Sequence, residues 1–305
     1  MTLEDQLFED IREGREVDIE KAALIVGGCD REDKVSEYKG KIDLLERRLD
    51  EYAPAGSARR IITNIHNLFW ENGDPYTEAR NFELADAIDA KQAEKPIGVC
   101  AILSALYASL ALRKGLEVQA LVMPEHVALR VLNGTRPIDI ETTERYGVGR
   151  NEYSGIEGLP SLVIIASLLY NRGIAKYYMG NLKGAIEDYE KALEINPRHA
   201  GALNNRGIVK EEMGNPKGAI EDYTKALEIN PRHAGALNNR GIVKEEMGNP
   251  KGAIEDYTKA LEINPRQADT IYNRGIIKEE LGDLKGAKED FARYQMLLQE
   301  NHNDA

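Results

Sequence analysis

A chain of 305 residues exceeds one average domain, and 42% hydrophobic with 30% charged residues is the balance of a folded, soluble protein, so two domains are expected. A net charge of −12 with no run of Lys or Arg removes the electrostatic attraction that dominates binding to nucleic acid and anionic membranes, and both are excluded as partners. The acidic start Met-Thr-Leu-Glu-Asp-Gln lacks a signal pattern, which predicts a cytoplasmic location. Only Cys29 and Cys100 occur, with no C-x-x-C pair, so no disulfide framework, metal or cofactor is expected.

Apolar residues at three- and four-residue spacing predict helices over Leu7–Ile11, Ile19–Val26, Val35–Tyr52 and Arg60–Trp70. After Pro96 the grain changes. Val99–Lys114 is a nearly continuous apolar helix, broken by Ser104 and Ser109 and too short for the about 20 residues that span a bilayer. Three β-like runs follow, Glu117–Met123, Val127–Leu132 and Arg136–Ile140, and Asn133-Gly134 is a strong hairpin signal. A buried helix and a small antiparallel sheet behind a helical lobe make an α+β domain over residues 1–160. The Gly-rich stretch 145–162 reads as the linker out of it.

From residue 166 the chain repeats with a period of 34. His199–Arg232 recurs letter for letter as His233–Arg266, with looser copies on both sides, giving units 166–199, 200–233, 234–267 and 268–301. Gly at position 8 of each unit (Gly173, Gly207, Gly241, Gly275) and Ala at position 20 allow two helices to approach closely. An aromatic at position 24 fills the gap, and Pro at position 32 of the first three units ends the second helix. This set resembles the tetratricopeptide repeat family, departing from it in an apolar position 4 without Trp and in Arg at position 7. The resemblance implies an all-α solenoid that binds protein or peptide, with the groove lined by positions 2, 5, 6, 9, 12 and 13. Those positions supply the amides of Asn171, Asn205, Asn239 and Asn273, the carboxylates of Glu211, Glu212, Glu245, Glu246, Glu279 and Glu280, and the end residues Tyr170 and Tyr272 with Tyr177 and Tyr178. The amides suit a peptide backbone and the carboxylates a basic or polar ligand; an ordinary solvated acidic face is the alternative.

Chemistry concentrates in the first domain. Cys100 falls in the first turn of its helix, where unpaired N–H groups and the dipole stabilise a thiolate. His126 opens the second β-run, and Asp139 on the third falls close to opposite it across the Asn133-Gly134 turn, the placement in which a carboxylate orients an imidazole. Gly98-x-Cys100, the helix ending Leu112-Arg113-Lys114-Gly115-Leu116, His126 and Asp139 resemble the core of the transglutaminase-like superfamily, and Asn81-Phe82-x-Leu84 resembles its branch with a helical N-terminal lobe. That resemblance implies a Cys-His-Asp triad of Cys100 as nucleophile, His126 as base and acid, and Asp139 as orienting residue, acting through a thioester in amide cleavage or acyl transfer. Asn81 is a weak oxyanion candidate by family position. His66 is the rival base, Cys29 is read as structural and Trp70 as core. Two functions stay open: a thiol enzyme with a partner-binding solenoid, and a non-catalytic adaptor whose first domain keeps only the fold.

Overall fold

The computed structural model describes residues 1–26, 29–52, 58–70, 99–123, 126–132, 137–140 and 158–303. The chain divides into two compact units, Met1–Pro197 and Arg198–Ala305. The first unit opens with helices α1 (Leu3–Arg12), α2 (Ile19–Val26), α3 (Glu32–Tyr52), α4 (Ala58–Trp70) and α5 (Val99–Arg113). Strands β1 (Glu117–Met123), β2 (His126–Leu132), β3 (Ile138–Ile140) and β4 (Leu159–Pro160) form one antiparallel sheet in the order β3-β2-β1-β4. Helices α6 (Val163–Tyr178) and α7 (Leu182–Ile195) complete the unit.

Alternation along the strands decides which face is core. Val118 and Ala120 of β1, Leu129 and Val131 of β2, and Ile138 and Ile140 of β3 are buried in one cluster with Ala105–Ala111 of α5 and Ala22–Val26 of α2. Helix α5 has apolar residues on all sides, as a helix enclosed by other elements must, and it packs on β1, β2, α2, α3, α4 and α6. Its end is fixed by charge. Arg113 donates to Glu20, Asp43 and Glu46, and Lys114 to Glu46 and Asp50, so cations at the negative pole of α5 tie down α2 and α3. Gly115, at φ 71°, then turns the chain into β1.

The stretch read as a linker ends differently from that expectation. Leu159 and Pro160 pair with Ala120 and Gln119, and α6 starts at Val163. Seven successive residues, Val163–Leu169, are buried, and Val163–Ala166, Leu168 and Leu169 belong to the same core as α2 and α5. The first 34-residue unit therefore packs as part of the N-terminal domain. Helix α1 secures it from the other side: Glu4 pairs with Arg172 and Lys191, Arg12 with Glu194, and Arg172 also donates to the Val26 carbonyl. Burial would raise the Glu4 carboxyl, but Arg172 and Lys191 outweigh it and hold the group below the ordinary carboxylate value.

The second unit consists of three helix pairs: α8 (Ala200–Glu212) with α9 (Pro216–Ile229), α10 (Ala234–Glu246) with α11 (Pro250–Ile263), and α12 (Ala268–Glu280) with α13 (Leu284–Asn303). Their residues explain the pairing. A Cβ on Gly207 or Gly241 would lie 2.5 Å from the ring of Tyr223 or Tyr257, so only Gly lets the two helices close on that ring. His199 and His233 cap α8 and α10 by accepting from the N–H of Ala202 and Ala236, Asn215 and Asn249 cap α9 and α11, and Pro216 and Pro250 occupy the first helical turn. Successive pairs join through apolar contacts, Ala219 and Tyr223 with Val243, and Ala253 and Tyr257 with Ile277. On α13 the outward face changes character: Lys288, Ala292 and Gln295 stand where α11 has Ile254, Thr258 and Leu261, and all three are exposed. Lys288 for Ile254 and Gln295 for Leu261 make that row more polar than its counterpart on α11.

Candidate functional site

Cys100 is the second residue of α5, and His126 is the first residue of β2, opposite Met123. A cysteine thus stands at the positive end of a buried helix, and the strand on which that helix packs begins at a histidine. Asn81 lies outside the described residues.

Asp139 lies opposite Arg130. The register of β2 on β3 is Leu129↔Ile140, Arg130↔Asp139 and Val131↔Ile138. It is shifted by two residues from what a two-residue Asn133-Gly134 turn would impose, and the shift carries Asp139 away from His126. Four residue steps along β2, about 13 Å, separate His126 from Arg130, the residue opposite Asp139. The Asp139 carboxylate is taken instead by Arg130, which donates from Nε to Oδ1 at 2.6 Å and from Nη2 to Oδ2 at 2.9 Å. Asp139 is 4% exposed, and the guanidinium is held more basic than usual by the carboxylate. The pair clamps β3 to β2. Arg130 is the fifth residue of β2, inside a stretch that reads as apolar, and only the register connects it to a carboxylate.

In the repeats the predicted groove residues separate into groups. Position-6 amides are partly spoken for: Thr270 donates to Asn238, Asn238 to Asn239, Asn239 to Asn204, and Asn204 to Asn205, a relay of side chains crossing all three helix pairs of the second unit. Each amide nitrogen has a second hydrogen, so Asn239 retains donor capacity beyond its bond in the relay. Glu211 and Glu245 accept from the hydroxyls of Tyr223 and Tyr257. Burial first, then the neighbouring Glu246 and Glu212, raise the Glu211 carboxyl; Glu280 and Glu246 join burial in raising Glu245. Glu212, Glu246, Glu279 and Glu280 are exposed. Asn171 and Asn273 are half-buried. Tyr170 packs on the N-terminal core, Tyr177 and Tyr178 meet edge-on, and Tyr272 leans on Phe291 and Tyr294.

One constellation escaped the sequence reading. Arg172, Arg206, Arg240 and Arg274 at position 7 each grip a buried aspartate at position 23 (Asp188, Asp222, Asp256, Asp290) through two hydrogen bonds, and Lys176, Lys210, Lys244 and Lys278 complete each triad. Arg240 and Arg274 reach further, to Thr224 and Thr258 of the preceding pair. Recurrence of Arg, Lys and Asp at one spacing in all four units was the available signal.

Among the described residues no group of His, Cys, Asp and Glu could hold a metal ion, and no helix is long and apolar enough to cross a membrane. A buried helix on an antiparallel sheet, continued by helix pairs of constant period, defines an α+β domain extended by a helical repeat array. Family models make this specific: residues 36–145 match the transglutaminase-like superfamily, and 166–199, 200–233 and 234–267 match the tetratricopeptide repeat. The chain joins a transglutaminase-like domain to tetratricopeptide repeats. Similar solved structures include a crystal structure of MamA (23% identity over 45% of this chain and 81% of that one, TM-score 0.43) and YrrB, described as a TPR protein with an unusual peptide-binding site (22%, 45% and 72%, TM-score 0.39). Another is the first TPR of Spaghetti (RPAP3) bound to the HSP90 peptide SRMEEVD (22%, 38% and 92%, TM-score 0.37). A search of the curated proteins finds no match.

Proposed function

We propose that the chain is a thiol-dependent acyl-transfer enzyme, a cysteine peptidase or amidase or an acyl transferase, whose repeats hold a protein or peptide partner. One observation carries the reading: Cys100 occupies the first turn of α5, and the strand packed on that helix begins at His126. A helix N-terminus favours the thiolate, and the backbone N–H of Cys100 is the proposed oxyanion donor. In the proposed reaction the Cys100 sulfur attacks an amide carbonyl, His126 gives its proton to the leaving amine, and a thioester remains. Water or a second amine, deprotonated by His126, then attacks the thioester and releases the thiolate. Asp139 has no part in these steps; it serves Arg130. In the repeats, the amides of Asn205 and Asn239 and the exposed Glu212, Glu246 and Glu280 support a basic or polar peptide as ligand.

The test is the pH profile of alkylation at each cysteine, resolved by mass spectrometry. Cys100 is expected to react well below pH 8, the ordinary thiol range, and to lose that advantage in His126→Ala. Cys29, buried at 4% exposure, should stay slow at every pH that keeps the fold. Ordinary thiol behaviour at Cys100 would leave the adaptor role in place of the enzyme.

A further inference from the structure

Position 14 of the repeat, the residue that closes each first helix, is apolar and exposed throughout. In the second unit Met213, Met247 and Leu281 are 46%, 45% and 47% exposed. Each follows a pair of glutamates and precedes a glycine of positive φ that turns the chain, so the side chain stands half-exposed at the helix end. In the first unit Met179 occupies the same position and is also exposed. Duplication accounts for Met213 and Met247 being identical. It does not account for Leu281, because the last repeat has changed elsewhere on the same helix, to Asp269 and Tyr272 where its neighbours have Gly and Asn, yet keeps a large apolar residue in water. Beside this row runs an acidic one. Each half-buried Glu211 and Glu245 feels the position-13 carboxylate of the following repeat, Glu246 and Glu280, so the glutamates of adjacent repeats crowd one another along the row.

We propose that this strip, apolar at Met213, Met247 and Leu281 and acidic at Glu212, Glu246 and Glu280, docks a basic amphipathic helix of a partner protein. The proposal rests on the reading of the repeats as a partner-binding module and names the chemistry of the partner. Charge complementarity selects Lys or Arg, which would relieve the repulsion among the glutamates, and flexible Met side chains suit the apolar face of a helix. Neighbouring helices pack about 10 Å apart, and about seven residues of helix also advance about 10 Å, so apolar residues at heptad spacing on the partner would meet one anchor per repeat.

The full chain is titrated with three fluorescent peptides of about 20 residues: one with Leu at heptad spacing flanked by Lys, a scramble of it, and a version with Glu for Lys. The first should bind at least roughly tenfold more tightly than the others. The Met213→Ser/Met247→Ser/Leu281→Ser chain should lose roughly that factor at an unchanged melting temperature, whereas Glu221→Gln/Glu255→Gln, at exposed carboxylates of the second helices, should not. Equal binding of the scramble, no binding of any peptide, or full binding by the serine chain overturns the strip. A Pro-containing extended Lys peptide probes the groove separately. If it binds through Asn205 and Asn239 while the serine substitutions change nothing for the helical peptide, the strip fails and the partner-binding reading stands.

Discussion

At the residue scale, two buried charges decide what β2 and β3 can do. Removing one member of a buried ion pair leaves the other unsatisfied, at a cost of about 3–5 kcal/mol, whereas replacing both by apolar residues is often nearly neutral. Asp139→Asn or Arg130→Met alone should therefore lower stability by that amount in denaturant titration, and Arg130→Met/Asp139→Leu should recover most of it. If Asp139 instead oriented His126, Asp139→Asn would move the pH profile of Cys100 alkylation and Arg130→Met would not. His199 supplies a second test. Burial pushes its imidazole down to about 4, a hydrogen bond to backbone offsetting only part of that, and the ring accepts from the Ala202 N–H. The folded value is below the unfolded value of about 6.5, so protons favour the unfolded chain. Stability is full above about pH 6.5 and should fall by roughly 3 kcal/mol as pH drops toward 4. His199→Asn, a cap that does not titrate there, should flatten that slope.

At the element scale, the repeats were readable because one rule acts four times. Gly at position 8 beside an aromatic at position 24 is visible in the letters, and the rings of Tyr189, Tyr223, Tyr257 and Phe291 meet those glycines in the fold. Gly207→Ala forces its methyl into Tyr223 and should cost about 1–3 kcal/mol, with Gly207→Ala/Tyr223→Leu partly restoring the loss in thermal unfolding. The buried helix α5 and strands β1 and β2 were readable from hydrophobic pattern alone. Register was not. Pattern fixes which face of a strand is buried, but a shift of two residues preserves that face, so apolar alternation could not choose between Ala128 and Arg130 as the neighbour of Asp139. The Arg–Lys–Asp triads escaped for another reason: Arg at position 7 departs from the family pattern, and only packing places it over Asp at position 23.

At the scale of the whole molecule, the boundary between repeats and α+β domain does not coincide with the start of the repeat period. In register with the next repeat, Val163–Ile165, Leu168 and Tyr170 stand where that repeat has Pro197–His199, Ala202 and Asn204, so the first repeat helix has the composition of a core helix. An apolar run broken only by Ser167 means burial on all sides, and here it is met by α2 and α5. Burying a Val, Leu or Ile side chain contributes about 1.5–3 kcal/mol, so the five such residues of this run supply roughly 10 kcal/mol, as much as a typical domain's entire net stability. A fragment of residues 1–160 should therefore lack cooperative unfolding and bind a hydrophobic dye, while residues 1–197, which add α6 and α7 and restore the Arg172–Glu4 and Arg12–Glu194 pairs, should unfold in one sharp transition by near-ultraviolet circular dichroism. Equal, cooperative unfolding of both fragments would mean that α6 contributes nothing to the core of the transglutaminase-like domain.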